Sequence, residues 1–474
     1  MRALPALVAA ALVVASLTAG VALDPGLGVA PAPDTAGAAT PVPVATPSTP
    51  PRTSTPRATA TTAPDAALAA APGNESRPVH VLSIPPTQVT RTALDRRTVD
   101  LGPALGFAAN GSSYRLATLA TVERVESAEN PDVRRQRVLE AVGELETGVE
   151  TLQTAQREAV AAYAAGDVTA RGLLIRLARV DARARALDAR RARLAAVATE
   201  SEALTEADED RISAVRVVLD TFHGPVRAHV VSVLRGEASP TRFYVAAGPD
   251  SVVLSMIRDD RYVREVFRGD LRSVDGGEVG IEGATVAFRD AYPVVYDTLL
   301  NNTTDVSGQA GTFRVQLRHS RGALVAYVDG DSGHVFREVQ TRPLPTFGRN
   351  DSVTSTRDGF RLLVNRTYAG GPMRVSVVDA DTGAPANFTI TMGPPQGEST
   401  TVGATGSDGT LWTLAPTGQF TVVAIDGTTV VPSGTMRPSP TPAIRPPANE
   451  STPTRTETRT PGPTPAPALS LGPR

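Results

Sequence analysis

The stretch VDGDSGHVF, residues 328–336, holds the side chains of this chain whose types and spacing could do chemistry. Ser332 lies between an aspartate and a glycine, and His334 follows it by two positions. A serine hydroxyl becomes a nucleophile when a histidine within hydrogen-bond reach takes its proton, which would make this a hydrolytic or acyl-transfer site. His319, one predicted strand earlier, is the second histidine that could approach Ser332.

Gly-Asp-Ser-Gly, residues 330–333, is also the tetrapeptide around the nucleophile of chymotrypsin-type proteases. Those enzymes need His, Asp and Ser in that chain order on two β-barrels. No histidine here stands in the Ala-Ala-His-Cys setting, and the helical segment that separates His80 from Ser332 does not fit a double barrel. Because the near-copy VDADTG recurs at 378–383, we interpret VDGDSG as a β-turn and expect no catalytic residues.

The paired aspartates of these two turns could in principle bind Ca²⁺. An EF-hand loop requires a bidentate glutamate at position 12. That position is Gln340 when counted from Asp329, and Ile390 when counted from Asp379. The EF-hand is therefore excluded, and only a weak surface site stays open. The absence of cysteine removes thiol nucleophiles, iron–sulfur clusters and Cys-ligated zinc, so we expect no metal and no cofactor.

Seven asparagines open N-x-[ST] triplets, the acceptor pattern for glycans on exported proteins. They are Asn74, Asn110, Asn301, Asn302, Asn365, Asn387 and Asn449. Export is predicted by residues 1–22, where Arg2 precedes an apolar run and Gly-Val-Ala forms a small-x-small cleavage site. The run is short for a spanning helix. We therefore expect a cleaved signal peptide and a secreted or cell-surface glycoprotein.

Composition separates the tails from the folded part. Residues 23–77 and 433–474 are dominated by Ala, Thr and Pro, which leaves too little apolar surface to offset chain entropy and predicts disorder. Charge is balanced, with 47 basic and 49 acidic residues, and every basic side chain is arginine. A nucleic-acid binder would show a basic excess. We expect no nucleic-acid partner, no transmembrane span after signal cleavage, and an unknown protein or cell-envelope partner.

Residues 78–237 are predicted to form a helical hairpin or bundle. Apolar residues recur at spacings of four and three over 138–163 and again over 173–198. A short turn between the runs contains a glycine suited to a left-handed helix stop. Long helices joined by so short a turn run antiparallel, which predicts a hairpin with a coiled-coil-type seam. Further helices at about 111–128 and 207–235 would complete the bundle.

The second apolar run is rich in arginine, which raises the question of nucleic-acid binding. Asp181 with Arg185, and Asp188 with Arg191, stand at helical i,i+4 and i,i+3 spacings and are expected to pair locally. No aromatic residues alternate with them for base stacking. We therefore predict a solvated, ion-paired helix face, with Arg191 also near Glu144 of the partner helix.

Residues 238–345 are predicted to form a small α+β domain, and residues 346–432 a β-sandwich. TRFYVAAG, SVVLSMIR and RYVREVFRG alternate like strands, a helix follows at about 281–300, and GTFRVQLRH, GALVAYVDG and SGHVFREVQ form an antiparallel set. After residue 346, alternating strands and glycine-containing turns at short spacing are typical of a sandwich. The predicted fold class is thus multidomain α plus β, with disordered tails.

Several stretches carry a family resemblance. RVSVVDADTGAPANFTITMG and the following DGTLWTLAPTGQFTVVAIDG resemble the prealbumin-like, carboxypeptidase-regulatory β-sandwich, on Asp379, Gly383, Asp408, Trp412 and Phe420 among others. Such modules are non-catalytic. RRTVDLGPALGFAANGSS, AAYAAGDVTARGLLIRLARVDARARAL and DAYPVVYDTLL resemble exported proteins of unknown function from halophilic archaea. The α+β segment looks like modules of the PepSY kind. These resemblances imply no assigned activity and no catalytic residues.

The favoured interpretation is a non-enzymatic secreted or cell-surface protein with a structural role or a role in protein or glycan interaction. The alternative is an exported hydrolase or peptidase regulator that uses Ser332 with His319 or His334, since PepSY-like modules regulate peptidases. A third option is a coiled-coil partner-binding domain within 78–237.

Overall fold

The computed structural model confirms the predicted mixture of helices, an α+β sheet and a β-sandwich. It describes the following parts of the chain: residues 77–200, 204–273, 279–309, 311–348 and 351–444. The predicted signal peptide, the N-terminal linker and nearly all of the C-terminal tail lie outside the described residues. The same is true of the glycosylation candidates Asn74 and Asn449.

Five helices form an N-terminal layer. They are α1 (Leu101–Glu126), α2 (Pro131–Ala165), α3 (Ala170–Glu200), α4 (Glu206–Asp220) and α5 (Pro225–Leu234). Helices α2 and α3 form the predicted antiparallel hairpin, and α2 ends at Gly166 with a φ of 95°. The single helix expected at 207–235 is instead two, because Pro225 lacks an N–H and restricts the residue before it.

Eight antiparallel strands form the central sheet. They are β1 (Arg91–Arg97), β2 (Thr241–Gly248), β3 (Ser251–Arg258), β4 (Arg261–Arg268), β5 (Leu299–Gln309), β6 (Thr312–His319), β7 (Gly322–Asp329) and β8 (Val335–Pro343). Their order across the sheet is β1-β2-β3-β4-β8-β7-β6-β5. Strand β1 comes from the segment assigned by sequence to the helical domain and pairs with β2.

The helix expected at 281–300 is shorter than predicted. Helix α6 (Ile281–Ala291) is followed by a short α7 (Pro293–Asp297), and edge strand β5 begins at Leu299. Pro293 cannot donate the backbone hydrogen bond that would continue α6.

Both faces of the eight-stranded sheet are buried, which is unusual for an antiparallel sheet. One face, here called the helix face, packs Phe243, Val245, Leu254 and Met256 against α3 and α5. The opposite face, here called the sandwich face, places Tyr244, Val253, Tyr262 and Val266 in a core with α6, α7, residues 79–84 and the sandwich residues Tyr368 and Leu414. Successive residues alternate between these faces because the strand period is two.

The C-terminal β-sandwich contains two four-stranded sheets. Their strands are β9 (Ser352–Arg357), β10 (Phe360–Asn365), β11 (Pro372–Asp379), β12 (Thr389–Gly393), β13 (Thr400–Ala404), β14 (Thr410–Leu414), β15 (Phe420–Asp426) and β16 (Thr429–Met436). One sheet has the order β14-β11-β10-β9 and the other β13-β12-β15-β16. Leu362, Val375, Phe388 and Val422 pack between them.

The first and last segments of the described part lie side by side. Val81 and Ala443 form a parallel bridge. The Val81 N–H donates to the Pro442 carbonyl at 2.8 Å, and the Ile444 N–H donates to the Val81 carbonyl at 3.0 Å. The chain therefore enters and leaves this part of the structure at neighbouring points.

Candidate functional site

Ser332 lies in the turn between β7 and β8, and its hydroxyl serves that turn. Its Oγ donates to the Leu271 carbonyl at 2.9 Å and accepts from the His334 N–H at 3.2 Å. The buried Asp329 carboxylate accepts from the Ser332 N–H at 3.0 Å, and Gly333 supplies the positive φ of 70°. Within the described residues, no histidine ring hydrogen-bonds to Ser332.

His319 lies far from Ser332. It ends β6 and pairs with Gly322, whereas Ser332 follows the other end of β7. An eight-residue strand spans roughly 23 Å between its ends. The His319 ring is buried, neither nitrogen has a hydrogen-bond partner, and burial, with Arg342 and Arg321 nearby, lowers its pKa to about 4. The structure therefore does not bring these two predicted residues together.

The turn after β11 repeats the hydrogen-bond pattern of the Ser332 turn. Asp379 Oδ1 accepts from the Thr382 N–H at 2.8 Å, and Gly383, with a φ of 73°, donates to the Asp379 carbonyl at 3.0 Å. These hydrogen bonds lower the pKa of Asp379, chiefly those from Thr382. The two motifs thus form the same type of turn, and each aspartate carboxylate accepts hydrogen bonds from its own loop.

The predicted glycosylation residues differ in accessibility. Asn110, Asn301 and Asn387 are exposed, and the side chain of Asn302 lies outside the described atoms. Asn365 is only 6% exposed, and its Nδ2 is buried without a hydrogen-bond partner. Because a glycan is attached through Nδ2, this burial argues against Asn365 as an acceptor in the folded domain.

A groove lies between α1, α3 and α5 in the helical layer. Its volume is about 640 Å³, and an adjoining cavity of about 460 Å³ continues along α1. We call the two together the α1 groove. Its walls are largely apolar and include Phe107, Tyr114, Val122, Ala182, Ala189 and Val231. Pockets of this size and character are typical of binding sites.

Beside the groove, α1 carries a row of exposed leucines. Leu101, Leu105, Leu116 and Leu119 are 65–72% exposed. At 100° per residue these positions fall within an arc of about 60°, and at 1.5 Å per residue they extend over about 27 Å. An apolar face of this kind normally packs on another helix, yet no element of the described chain covers it. We call these four residues the leucine stripe.

Arginines surround the groove. Arg115, Arg179 and Arg193 line it and form no ion pair with any described residue, whereas Arg235 lies 3.7 Å from Glu237. Positive charge without local compensation favours an anionic partner.

The prediction of a solvated, ion-paired face on α3 holds only in part at the floor of the groove. Asp181 does pair with Arg185, with Nε–Oδ2 at 2.9 Å, but Asp181 is 2% exposed and also accepts from the Gly224 N–H at 2.8 Å. The hydrogen bond to Asp181 raises the pKa of Arg185. The Asp181 carboxylate thus connects α3 to the start of α5. Leucine spacing in α1 was the one sequence signal that could have found the groove.

Two further properties concern the described residues only. None of their helices has both the length and the apolar character required to cross a bilayer. No group of three or more histidine, aspartate or glutamate side chains within them is placed to hold a metal ion.

Family models match three consecutive parts of the chain. Residues 351–432 match the archaeal fibronectin-III type-like domain, residues 243–348 match a family of unknown function (DUF7094), and residues 1–239 match a domain of unknown function (DUF7096). The first match agrees with the observed sandwich and supports an archaeal origin. No curated protein and no solved structure matches the chain. Because the third match takes in 239 of 474 residues, the chain belongs to the family described as a domain of unknown function, DUF7096.

Proposed function

We propose that this chain is a non-enzymatic binding protein whose α1 groove captures an acidic amphipathic helix of a partner protein. The observation that carries the proposal is the leucine stripe, which lies uncovered beside an apolar groove with arginines around it. A partner helix laid along α1 would remove these leucines from water, which is the main driving force of association.

Charge selects the kind of helix. Arg115, Arg179 and Arg193 would face carboxylates that flank the apolar stripe of the partner, and such complementary charge gives specificity and a faster association. A basic helix would be repelled by the same side chains. In this interpretation the coiled-coil-type hairpin of α2 and α3 supports the surface, while the fibronectin-III-like sandwich is a non-catalytic spacer.

The non-enzymatic character is supported by the position of Ser332. Its hydroxyl is engaged with the Leu271 carbonyl, and His319 lies at the opposite end of β7. The alternative, a hydrolase that uses Ser332 with His319 or His334, predicts labelling of Ser332 by a fluorophosphonate probe. We expect no labelling, and specific modification of Ser332 would overturn this part of the proposal.

The proposal also includes export of the protein from the cell. The signal-like residues 1–22 and the exposed sequons Asn110, Asn301 and Asn387 support a secreted or cell-surface glycoprotein of an archaeon, in a saline habitat. The intact mass of the native protein tests this proposal. A mass that equals the full unmodified chain would contradict both cleavage and glycosylation.

The test of the groove uses a fluorescent synthetic peptide helix with leucines at heptad positions a and d and glutamates elsewhere on its surface. Anisotropy titration of the full chain should give a dissociation constant on the order of 1 μM that weakens as salt is added. Leu119, the stripe residue that lines the larger cavity, is the decisive position. Leu119→Glu should abolish binding, and Arg179→Glu with Arg193→Glu should weaken it about tenfold.

Val430→Glu is the matched control, because Val430 is also exposed but lies in the sandwich. It should bind the peptide like the unmodified chain. A version of the peptide with lysines in place of the glutamates should not bind. Equal binding of both peptides, or unchanged binding by Leu119→Glu, would overturn the proposal. A dimer that Leu119→Glu dissociates in light scattering would instead show that a second copy covers the stripe.

A further inference from the structure

A second concave site lies where the α+β domain meets the sandwich. It is a pocket of about 250 Å³ between residues 345–348 and the outer face of the β14-β11-β10-β9 sheet. Its polar and aromatic lining includes Asn365, Thr367, Arg374, Asp408, Thr410 and Trp412. We call it the Trp412 pocket. It is distinct from the α1 groove and does not depend on the function proposed for that groove.

Strand register builds this site. Asn365 of β10 pairs with Arg374 of β11, and Arg374 pairs with Trp412 of β14. Neighbouring strands lie about 4.8 Å apart, so the three side chains form one row across the sheet. They point away from the sandwich core because their neighbours Val364 and Met373 point into it.

The row contains an unsatisfied hydrogen-bond donor. Asn365 is 6% exposed, lines the pocket, and its Nδ2 has no partner. Buried amide groups in proteins are nearly always hydrogen-bonded, so a lone one indicates a missing partner. A ligand in the pocket would supply an acceptor for it.

The other groups define what that ligand is. Arg374, whose Nη2 donates to Thr410 Oγ1 at 3.2 Å, adds a second donor, and the exposed Asp408 carboxylate adds an acceptor. A hydroxyl both donates and accepts, so vicinal hydroxyls suit such a mixed set. A carboxylate in the lining of the same pocket disfavours an anion. The indole of Trp412 offers an apolar face on which the C–H side of a sugar ring can pack.

We propose that the Trp412 pocket binds one ring of a neutral saccharide, as found at the end of a glycan chain. Asn365 and Arg374 donate to ring hydroxyls, Asp408 accepts from one, and Trp412 packs against the ring. The pocket is smaller than the roughly 300–1,000 Å³ typical of sites for drug-sized ligands, which fits a single sugar ring.

The test uses the intrinsic fluorescence of the full chain, in which Trp412 is the only tryptophan. It is titrated with glucose, galactose, mannose and N-acetylglucosamine, and in parallel with glucuronate and inorganic phosphate. Saturation-transfer NMR on the same mixtures detects binding that leaves the emission unchanged. At least one neutral sugar should bind saturably, with a dissociation constant on the order of 1 mM.

Asn365→Leu replaces the amide by an apolar group of similar size and should weaken sugar binding at least about tenfold. The same variant should raise the melting temperature of the free protein, because it removes an unpaired buried donor. Asn387→Leu, an exposed asparagine of the same sandwich, is the matched control and should bind like the unmodified chain. Three outcomes would overturn the proposal: no neutral sugar binds by either method, only glucuronate or phosphate binds, or Asn365→Leu binds normally.

Discussion

The two faces of the eight-stranded sheet each bury an arginine–glutamate pair, but they complete it differently. On the sandwich face, Glu338 accepts from Arg264 Nη1 at 2.9 Å, the Leu82 N–H at 2.6 Å and the Tyr292 hydroxyl at 2.7 Å. On the helix face, Glu265 Oε1 lies 3.5 Å from Arg227 Nε and accepts from the Arg227 backbone N–H at 3.2 Å, while its Oε2 has no partner.

Arg337, also on the helix face, carries two more unpaired buried nitrogens, Nε and Nη1. Burial raises the pKa of both Glu265 and Glu338, but only Glu338 has its full set of donors. A buried charge stabilises a fold only when its hydrogen bonds are complete. The arginine–glutamate pair on the sandwich face is therefore the completely bonded one, and the pair on the helix face, which supports the α1 groove, is the weaker one.

The largest expected effect comes from neutralising each glutamate. Glu338→Gln should lower the free energy of unfolding by about 3–5 kcal/mol, because it leaves Arg264 as a buried charge without a counter-charge. Glu265→Gln should cost less, about 1.5–3 kcal/mol, since Arg227 keeps its 2.6 Å hydrogen bond to Gln156. Urea denaturation of both variants measures the difference. Equal losses would show that the two arginine–glutamate pairs do not differ as described.

A smaller effect is expected from Gly224→Ala. The φ and ψ of Gly224, −149° and 132°, are open to alanine, but the added Cβ would lie 1.8 Å from Glu265 Oε2 and displace that carboxylate. The expected loss is about 1–3 kcal/mol. Gly143→Ala in α2 is the control, because nothing lies within 4 Å of its added Cβ, and it should stabilise by up to about 1 kcal/mol. A neutral Gly224→Ala would mean that the position of Glu265 is not critical.

The smallest expected effect is a dependence on pH through His319, which lies on the sandwich face. Its pKa in the folded state is about 4, below its ordinary value of 6.5. The unfolded state therefore binds the proton more readily, and stability should fall as pH drops from 6.5 towards 4. The loss at pH 5 should be on the order of 1 kcal/mol. Melting curves at pH 7 and pH 5 should show the loss, and His319→Gln should remove it. An unchanged slope in that variant would place the acid sensitivity elsewhere.

Local patterns predicted what depends on one helix or one hairpin. Val138, Val142, Leu145 and Leu152 lie in the α2–α3 seam as their spacing indicates. Gln156, which interrupts that run, is buried because Arg227 donates to it. The predicted contact between the two helices is wrong by one position. Arg190 rather than Arg191 lies near Glu144, with Nη1–Oε2 at 3.8 Å, because one residue is 100° around a helix.

The pairing of strands that are far apart in the chain could not be predicted from the sequence. Strand β1 (RTALDRR) is half-buried and charged, and its strand state depends on β2, some 150 residues away. Strand β5 is a polar edge strand with no apolar alternation. For the α1 groove, the leucine spacing is visible in the sequence, but only the arrangement of the other helices shows that nothing covers it. The row of Asn365, Arg374 and Trp412 likewise needs three strands in register.

The pairing of Val81 with Ala443 has a mechanical consequence. Because the described chain enters and leaves at one place, tension between the segments before and after it would not pass through the sheet or the sandwich. It would act first on the two hydrogen bonds between these backbones. The rest of the folded body would therefore bear little of the force. The α1 groove and the Trp412 pocket would stay intact while the chain around them is pulled.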